Sequence, residues 1–488
     1  MATEREIKLA ATTTFRMPDL CGVLDGIAAA PPEPQRLWTR YFDTEDLRLA
    51  RWGMSLRHRA GKGWTVKLLE RPEITFSGNG GTPPPDVVDL VRAVVRLDEL
   101  QFQAGLDTLR RRIPLHDADG APVADIFDDE VSVLEGHRTA ATFRELEVEV
   151  GETTPPDLVD ALLDQLRRAG ADTADPMPKY IRALGPRASQ PPEVPLPKLA
   201  SGASAGDVVR RAIAASVIRL IEHDPVMRLD ADPEGVHQAR VATRRLRSDL
   251  RTFRSLIDPV WAADLRDELG WFAGILGSVR DGDVMLARIR RRAAYLPKAS
   301  SGGAAHVLAT LEAARDEAHL ELLVTLRGER YIALLGRLVQ AGNTPRLVHD
   351  DDRPAPARLP GLVGRPWRAL AKQVRALPDE PTDAELHAVR IRTKRVRYAA
   401  EAVAPVVGGQ AWAFAAAAAD LQDVLGDLND AVVVENWLRE WACGQGSVQG
   451  VFAAGELAGL ERANAQRRRS RWRKTWNKLA ARRLRSWM

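Results

Sequence analysis

Cysteine is almost missing from this chain: among 488 residues only Cys21 and Cys443 occur, far apart in the sequence. That excludes a disulfide framework and a cysteine-built zinc site. Aromatic residues make up only 6%. No apolar run approaches the roughly 20 residues that a membrane-spanning helix needs. The first residues are charged from Glu4 onward and lack the pattern of a secretory leader. The expected setting is therefore the cytoplasm, without a membrane partner. Charge of one sign is not in excess overall, since the net value is only +4. Its distribution is uneven: residues 1–200 carry about −7 and residues 201–488 about +11. A basic back half attracts polyanions, whereas an acidic front half does so only with cations beside its carboxylates.

The length allows two domains with substantial cores. Residues 1–185 alternate short strand patterns with helical stretches near 85–96 and 156–169. Strands are expected at Glu4 to Leu9, Met54 to Arg59, Trp64 to Leu69, Thr108 to Leu115, Val123 to Phe127 and Thr142 to Val150. Gly61-Lys62-Gly63 and Asp117-Ala118-Asp119-Gly120 supply turns. A mostly antiparallel sheet or barrel fits. Residues 186–206 are rich in Pro, Ser and Gly and form a linker. Residues 207–488 are helical nearly throughout, which makes the whole an α+β protein of two domains.

Side chains two apart on a strand share a face. Glu4, Glu6 and Lys8 therefore point together, as do Glu145, Glu147 and Glu149; Arg57 pairs with Arg59, and Arg110 with Arg112. Lys67 lies on the strand adjoining Arg57 and Arg59. Facing outward, these residues form a solvated charged surface. Facing inward, they forbid a dry core. Inward carboxylates collect divalent ions, and Mg²⁺ favours one or two carboxylates plus phosphate oxygens. Arginine and lysine then hold the remaining anionic oxygens.

Glu4-Arg-Glu-Ile-Lys8 resembles the ExExK signature of the CYTH family, the triphosphate tunnel metalloenzymes. Tyr41 to Thr44, Leu56 to Arg59, Gly63 to Lys67, Phe127 to Asp129, Arg144 to Glu149 and Lys179 resemble that family in the same order. The resemblance covers residues 1–185 and implies an eight-stranded antiparallel tunnel. It implies that Glu4 and Glu6, with late-strand carboxylates, hold Mg²⁺ or Mn²⁺. Either Glu145 with Glu147 or Glu147 with Glu149 forms the late pair, and either Asp128 or Asp129 precedes it. Lys8, Arg57, Arg59, Lys67, one of the Arg110 to Arg112 group, and Lys179 are implied to grip phosphates, with Lys8 also a candidate for fixing the attacking water. His58, on the face opposite Arg57 and Arg59, is expected on the outer surface.

The back half repeats itself. His237-Gln-Ala-Arg-Val-Ala-Thr-Arg-Arg-Leu-Arg247 aligns without a gap with His387-Ala-Val-Arg-Ile-Arg-Thr-Lys-Arg-Val-Arg397, and Leu276-Gly277-Ser-Val-Arg-Asp281 with Leu425-Gly426-Asp-Leu-Asn-Asp430. At 100° per residue, His237, Arg240, Arg244, Arg247 and Arg251 fall in a stripe roughly 80° wide, with Ala239, Ala242, Leu246, Leu250 and Phe253 opposite. The second copy aligns His387, Arg390, Lys394 and Arg397, and Glu401 ends that ridge. Like charges so spaced destabilise a helix by a few tenths of a kcal/mol per pair. Incurred twice at matching positions, that cost points to an anionic ligand.

These repeats resemble the CHAD family, named for conserved histidines in an α-helical domain, over residues 205–488. The resemblance implies two pseudo-twofold-related four-helix bundles that bind inorganic polyphosphate along their ridges. Residues 467–485 read as its final amphipathic helix. Together the halves suggest metal-dependent hydrolysis of inorganic triphosphate, at polyphosphate granules. An organic triphosphate such as thiamine triphosphate or a nucleotide, or a granule adaptor without enzymatic activity, is the alternative. Nucleic acid is not expected, because the ridges lack interleaved aromatics.

Overall fold

The computed structural model describes residues 5–69, 71–135, 138–152, 154–173, 177–348, 354–444 and 447–488. Glu4 and His137 lie outside them. The chain divides into two compact units, Met1–Pro192 and Glu193–Met488.

The front unit is one antiparallel sheet of β1 (Arg5–Ala11), β2 (Ala28–Ala29), β3 (Glu33–Asp43), β4 (Ser55–Arg59), β5 (Gly63–Lys67), β6 (Ile74–Phe76), β7 (Gln101–His116), β8 (Pro122–Glu135), β9 (Arg138–Val150) and β10 (Asp172–Thr173). Their order is β10-β1-β9-β8-β7-β3-β4-β5-β6, with β2 on β7. Eight strands are substantial; β2 and β10, of two residues each, account for the difference from the eight expected. The sequence pattern missed β3, whose start carries Pro34 and four exposed residues. In the β4–β5 turn Gly61 and Gly63 have φ of +76° and +83°, and a Cβ at Gly63 would meet the Phe76 carbonyl oxygen at 2.3 Å.

Strand alternation sorts the chemistry of this sheet. Leu146, Val148 and Val150 of β9 point into a core shared with Leu9, Ile126 and the Leu158, Leu162 and Leu166 stripe of helix Pro156–Arg168. The intervening Glu145, Glu147 and Glu149 therefore point to the other face. His58 corrects an expectation. It does face away from Arg57, but it is buried rather than exposed, with its ring 5.1 Å from Trp64 and Nε2 3.3 Å from the Gly78 carbonyl oxygen.

The rear unit is helical. Its first copy comprises helices Ala205–Leu229, Glu234–Thr252, Pro259–Ala293, Ser301–Arg327 and Glu329–Asn343; its second comprises Pro360–Arg375, Asp383–Val407, Gly409–Gly444, Val448–Arg469 and Trp472–Leu479. Each copy thus adds a short fifth helix to the four expected. The tail is not one helix, because the chain turns at Ser470–Arg471, where Trp472 buries and Trp476 stacks on Trp367. Arg473 donates to the Pro378 and Asp379 carbonyls. Ala239, Ala242, Leu246, Leu250 and Phe253 are all buried, so the first ridge helix turns its charged stripe outward.

Asp249 is fully buried, and neither carboxylate oxygen has a hydrogen-bond partner among the described residues. Burial raises its pKa to about 8, against the pull of Arg245 and with the push of Glu401. The folded chain then keeps a proton that the unfolded chain releases near pH 4, and stability falls as pH rises from about 4 to 8. Asp249→Asn is expected to remove that slope and to exceed the parent at pH 9 by on the order of 6 kcal/mol. Urea unfolding at pH 5 and pH 9 checks this, and equal slopes in both proteins would contradict it.

Candidate functional site

The inner face of the front sheet encloses a cavity of about 540 Å³. Its geometry follows from register. Glu6 lies opposite Glu149, and Lys8 opposite Glu147; Glu145 lies opposite Asp129, and Asp129 opposite Arg110. Directly paired residues project to the same side. Carboxylates of β1, β8 and β9 thus make one wall. Arg57 and Arg59 of β4 and Lys67 of β5 line the other, and Arg110 of β7 stands between them. Lys179 enters from helix Lys179–Leu184.

The middle of this lumen is a charge lattice. Arg110 grips Asp129 with two bonds of 2.7 Å and reaches Glu147 at 2.7 Å. Lys179 Nζ lies 2.6 Å from Asp129 and 2.7 Å from Glu147. Lys8 Nζ lies 3.1 Å from Glu6, 3.5 Å from Glu147 and 3.8 Å from Glu145. Burial works against the charged form of Asp129, yet Arg110 and Lys179 overcome it and hold the pKa below the usual carboxylate value. Glu147 is lowered likewise, with burial opposed above all by Lys179. At Glu145 burial wins over Lys179 and Lys8, and its pKa is raised. Arg59 is a different cation, its pKa lowered by burial and by the neighbouring Arg57 and Arg110. Its one hydrogen bond among the described residues goes to Thr39 Oγ1 at 3.3 Å.

Oxygens of Glu6, Glu147 and Glu149 lie within 4.8 Å of one another. An all-carboxylate set fits a hard divalent cation such as Mg²⁺ or Mn²⁺. Asp128, the alternative to Asp129, faces the opposite way, is buried and binds Arg144 through two bonds of 2.7 Å. Arg112 shares the side of Arg110 but is held by Asp125 at 2.9 Å and does not line the cavity. Glu73, 2.6 Å from Arg57, and the rings of Tyr41 and Tyr180 also line the lumen and were not read from the sequence. Tyr41, inside the quoted Tyr41 to Thr44 motif, offered the one available signal.

In the rear unit the two ridges approach one another. Arg240, Arg244, Arg390 and Lys394 lie near enough that burial, followed by Arg390, Arg244 and Arg240, brings the Lys394 pKa down to about 7. Arg280, from the repeated Leu-Gly segment, acts on both His237 and Arg240 and was missed as a candidate. The glycine of that segment has a purpose here: a Cβ on Gly277 would stand 2.8 Å from Arg240, and Gly426 faces Arg390 at 3.8 Å. Of the acids on the neighbouring helices, Asp281 meets Arg240 at 3.1 Å, whereas Asp283 and Asp427 are taken by Arg315 and Arg288. His387 is hydrogen-bonded to Asn429 at 2.5 Å. Arg397 is bound to Glu401 at 2.7 Å, while the buried Nε atoms of Arg244 and Arg390 have no partner among the described residues.

The CYTH domain profile matches residues 2–181 and the CHAD domain profile residues 211–439. An uncharacterized protein of Mycobacterium tuberculosis is 30% identical over 455 residues, spanning 87% of this chain and 86% of its own length. The chain belongs to the CYTH–CHAD family. Its front unit is thus a triphosphate tunnel domain, of a superfamily that is generally enzymatic and metal-dependent. Among solved structures, PptA from Streptomyces chartreusis aligns at a TM-score of 0.48 and 22% identity, over 56% of this chain and 99% of its own. The CHAD domain from the plant Ricinus communis aligns at 0.49 and 24%, over 59% and 96%. No helix among the described residues is long and apolar enough to cross a membrane.

Proposed function

We propose that the CYTH lumen hydrolyses inorganic triphosphate to pyrophosphate and phosphate, and that the CHAD ridges bind inorganic polyphosphate, holding the enzyme at polyphosphate granules. The observation that carries the hydrolase reading is one cavity with a carboxylate wall facing a cationic wall. A divalent ion held by Glu6, Glu147 and Glu149, with Glu4 outside the described residues, would supply charge neutralisation at the phosphate oxygens. Arg57, Arg59 and Lys67 orient the chain of phosphates from the far wall. Lys8 and Lys179, each already balanced by carboxylates, keep their protons and donate to oxygens as charge develops. Water oxygen bonds to the terminal phosphorus, the bridging P–O bond breaks, pyrophosphate leaves, and the proton that the water loses passes to solvent.

A second reading, an organic triphosphate, draws on Tyr41 and Tyr180, whose ring centroids lie 6.4 Å apart beside the same lumen. Comparison of kcat/KM for inorganic triphosphate, ATP and thiamine triphosphate decides between them. A tenfold or greater preference for the inorganic substrate is expected, and the reverse preference would overturn it.

Polyphosphate on the ridges would restore the proton that Lys394 sheds above about pH 7. Titration calorimetry at pH 8 in buffers of different ionisation enthalpy should register proton uptake on polyphosphate binding, absent at pH 5.5 and absent from Lys394→Met. Uptake that persists in the variant would assign it elsewhere.

A further inference from the structure

Internal symmetry makes the rear unit its own control. A cavity of about 520 Å³ lies where the second half of the first ridge helix meets Pro360–Arg375 and Asp383–Val407. A smaller one occupies the related place, between Ala205–Leu229 and the second ridge helix. The correspondence runs residue by residue: Gly361, Leu362, Arg365, Pro366 and Ala369 of the first stand where Arg211, Ala212, Ala215, Ser216 and Arg219 line the second. The repeat alignment matches Arg251 with Glu401, and Arg395 with Arg245.

The two have diverged in charge. In the smaller cavity Arg245 and Glu401 form an ion pair of 2.6 Å. In the larger, Arg251 and Arg395 face each other as like charges, and Arg251 is depressed by burial and then by Arg395. Arg254, Arg358, Arg365 and Arg392 also line it, and no carboxylate is among its described lining residues. Arg251, Arg254, Arg365, Arg392 and Arg395 have no ion pair among the described residues. Leu362, Pro366 and Ala369 give the same cavity an apolar wall.

We propose that this cavity is a second anion site, which takes a soluble organic polyphosphate: several phosphates carried on a compact carbon body. The enclosed volume is of small-molecule size, within the range of about 300–1,000 Å³ usual for such sites. The guanidinium groups of Arg251, Arg254, Arg365, Arg392 and Arg395, without ion pairs among the described residues, fit branched phosphates better than a linear chain, and the apolar wall fits the carbon body. The mate shows that the fold itself does not require this charge. The site is separate from the hydrolytic lumen and does not depend on it.

The test is titration calorimetry on the full chain in EDTA, with inositol hexakisphosphate, inorganic tripolyphosphate and long-chain polyphosphate as probes. The proteins are the parent, the charge-reversal pair Arg365→Glu with Arg392→Glu, and the ridge pair Arg240→Ala with Arg390→Ala. Arg365 is exposed and Arg392 half-buried, so the fold should tolerate both changes, which a thermal melt verifies. Hexakisphosphate binding is expected to fall at least 30-fold in the cavity pair and to stay within threefold in the ridge pair, with long-chain polyphosphate showing the converse. Equal losses in both pairs would make the cavity merely the end of the ridge. Absence of hexakisphosphate binding by the parent, or equally tight tripolyphosphate binding lost with Arg365→Glu and Arg392→Glu, would overturn the organic ligand.

Discussion

Asp129→Ala is expected to lower kcat/KM for inorganic triphosphate by about 10²–10³-fold, whereas Asp128→Ala should leave kinetics unchanged and weaken the fold. The two are neighbours on β8 and face opposite ways. Asp129 joins Arg110 and Lys179 inside the lumen, so its loss frees both cations from the geometry that aims them. Asp128 lies on the other face, where Arg144 also donates to the Phe15 carbonyl at 2.6 Å. Removing it leaves a buried guanidinium with only Glu130 at 3.6 Å and the Phe15 carbonyl as polar partners among the described residues, at a cost of about 3 kcal/mol. Steady-state kinetics and thermal melts on both variants check the split. Kinetic damage from Asp128→Ala with Asp129→Ala unaffected would place the working face on the wrong side of the sheet.

Long-chain polyphosphate affinity is expected to drop roughly 10²–10³-fold between 50 and 200 mM salt, because ridge cations displace condensed counterions. The ridge residues should contribute unequally. Arg244, with its buried Nε unpartnered, should cost about fivefold on replacement by alanine and reduce the salt slope by about one. Arg397, already engaged by Glu401 at 2.7 Å, should cost less than half as much in log units. Salt-series titrations of both variants check this ranking. A flat salt response would remove the ridges as the binding surface.

The two-residue period of strands made the charged faces visible in the sequence, because Glu145, Glu147 and Glu149 alternate with Leu146 and Val148. Which face lines the cavity was not visible, since both readings obey the same alternation and only packing of helix Pro156–Arg168 decides it. Likewise, spacing put Arg112 with Arg110 but could not show that Asp125, across the β7–β8 turn, would take its charge. His58 needed the loop around Gly78 to be recognised as buried. The ridges were legible because a helix repeats its faces every turn and the chain repeats the helix. Arg280 was not, since it reaches the ridge from a different helix. The charge difference between the paired cavities depended on seeing which repeats of which helices meet.

Phosphate release from inorganic triphosphate, with and without Mg²⁺ and beside the Glu6→Ala variant, tests the lumen as an active site most directly. Metal-dependent turnover that falls at least 10²-fold in the variant is expected. No turnover by the parent with any triphosphate, while polyphosphate binding stays intact, would contradict it and leave a polyphosphate adaptor.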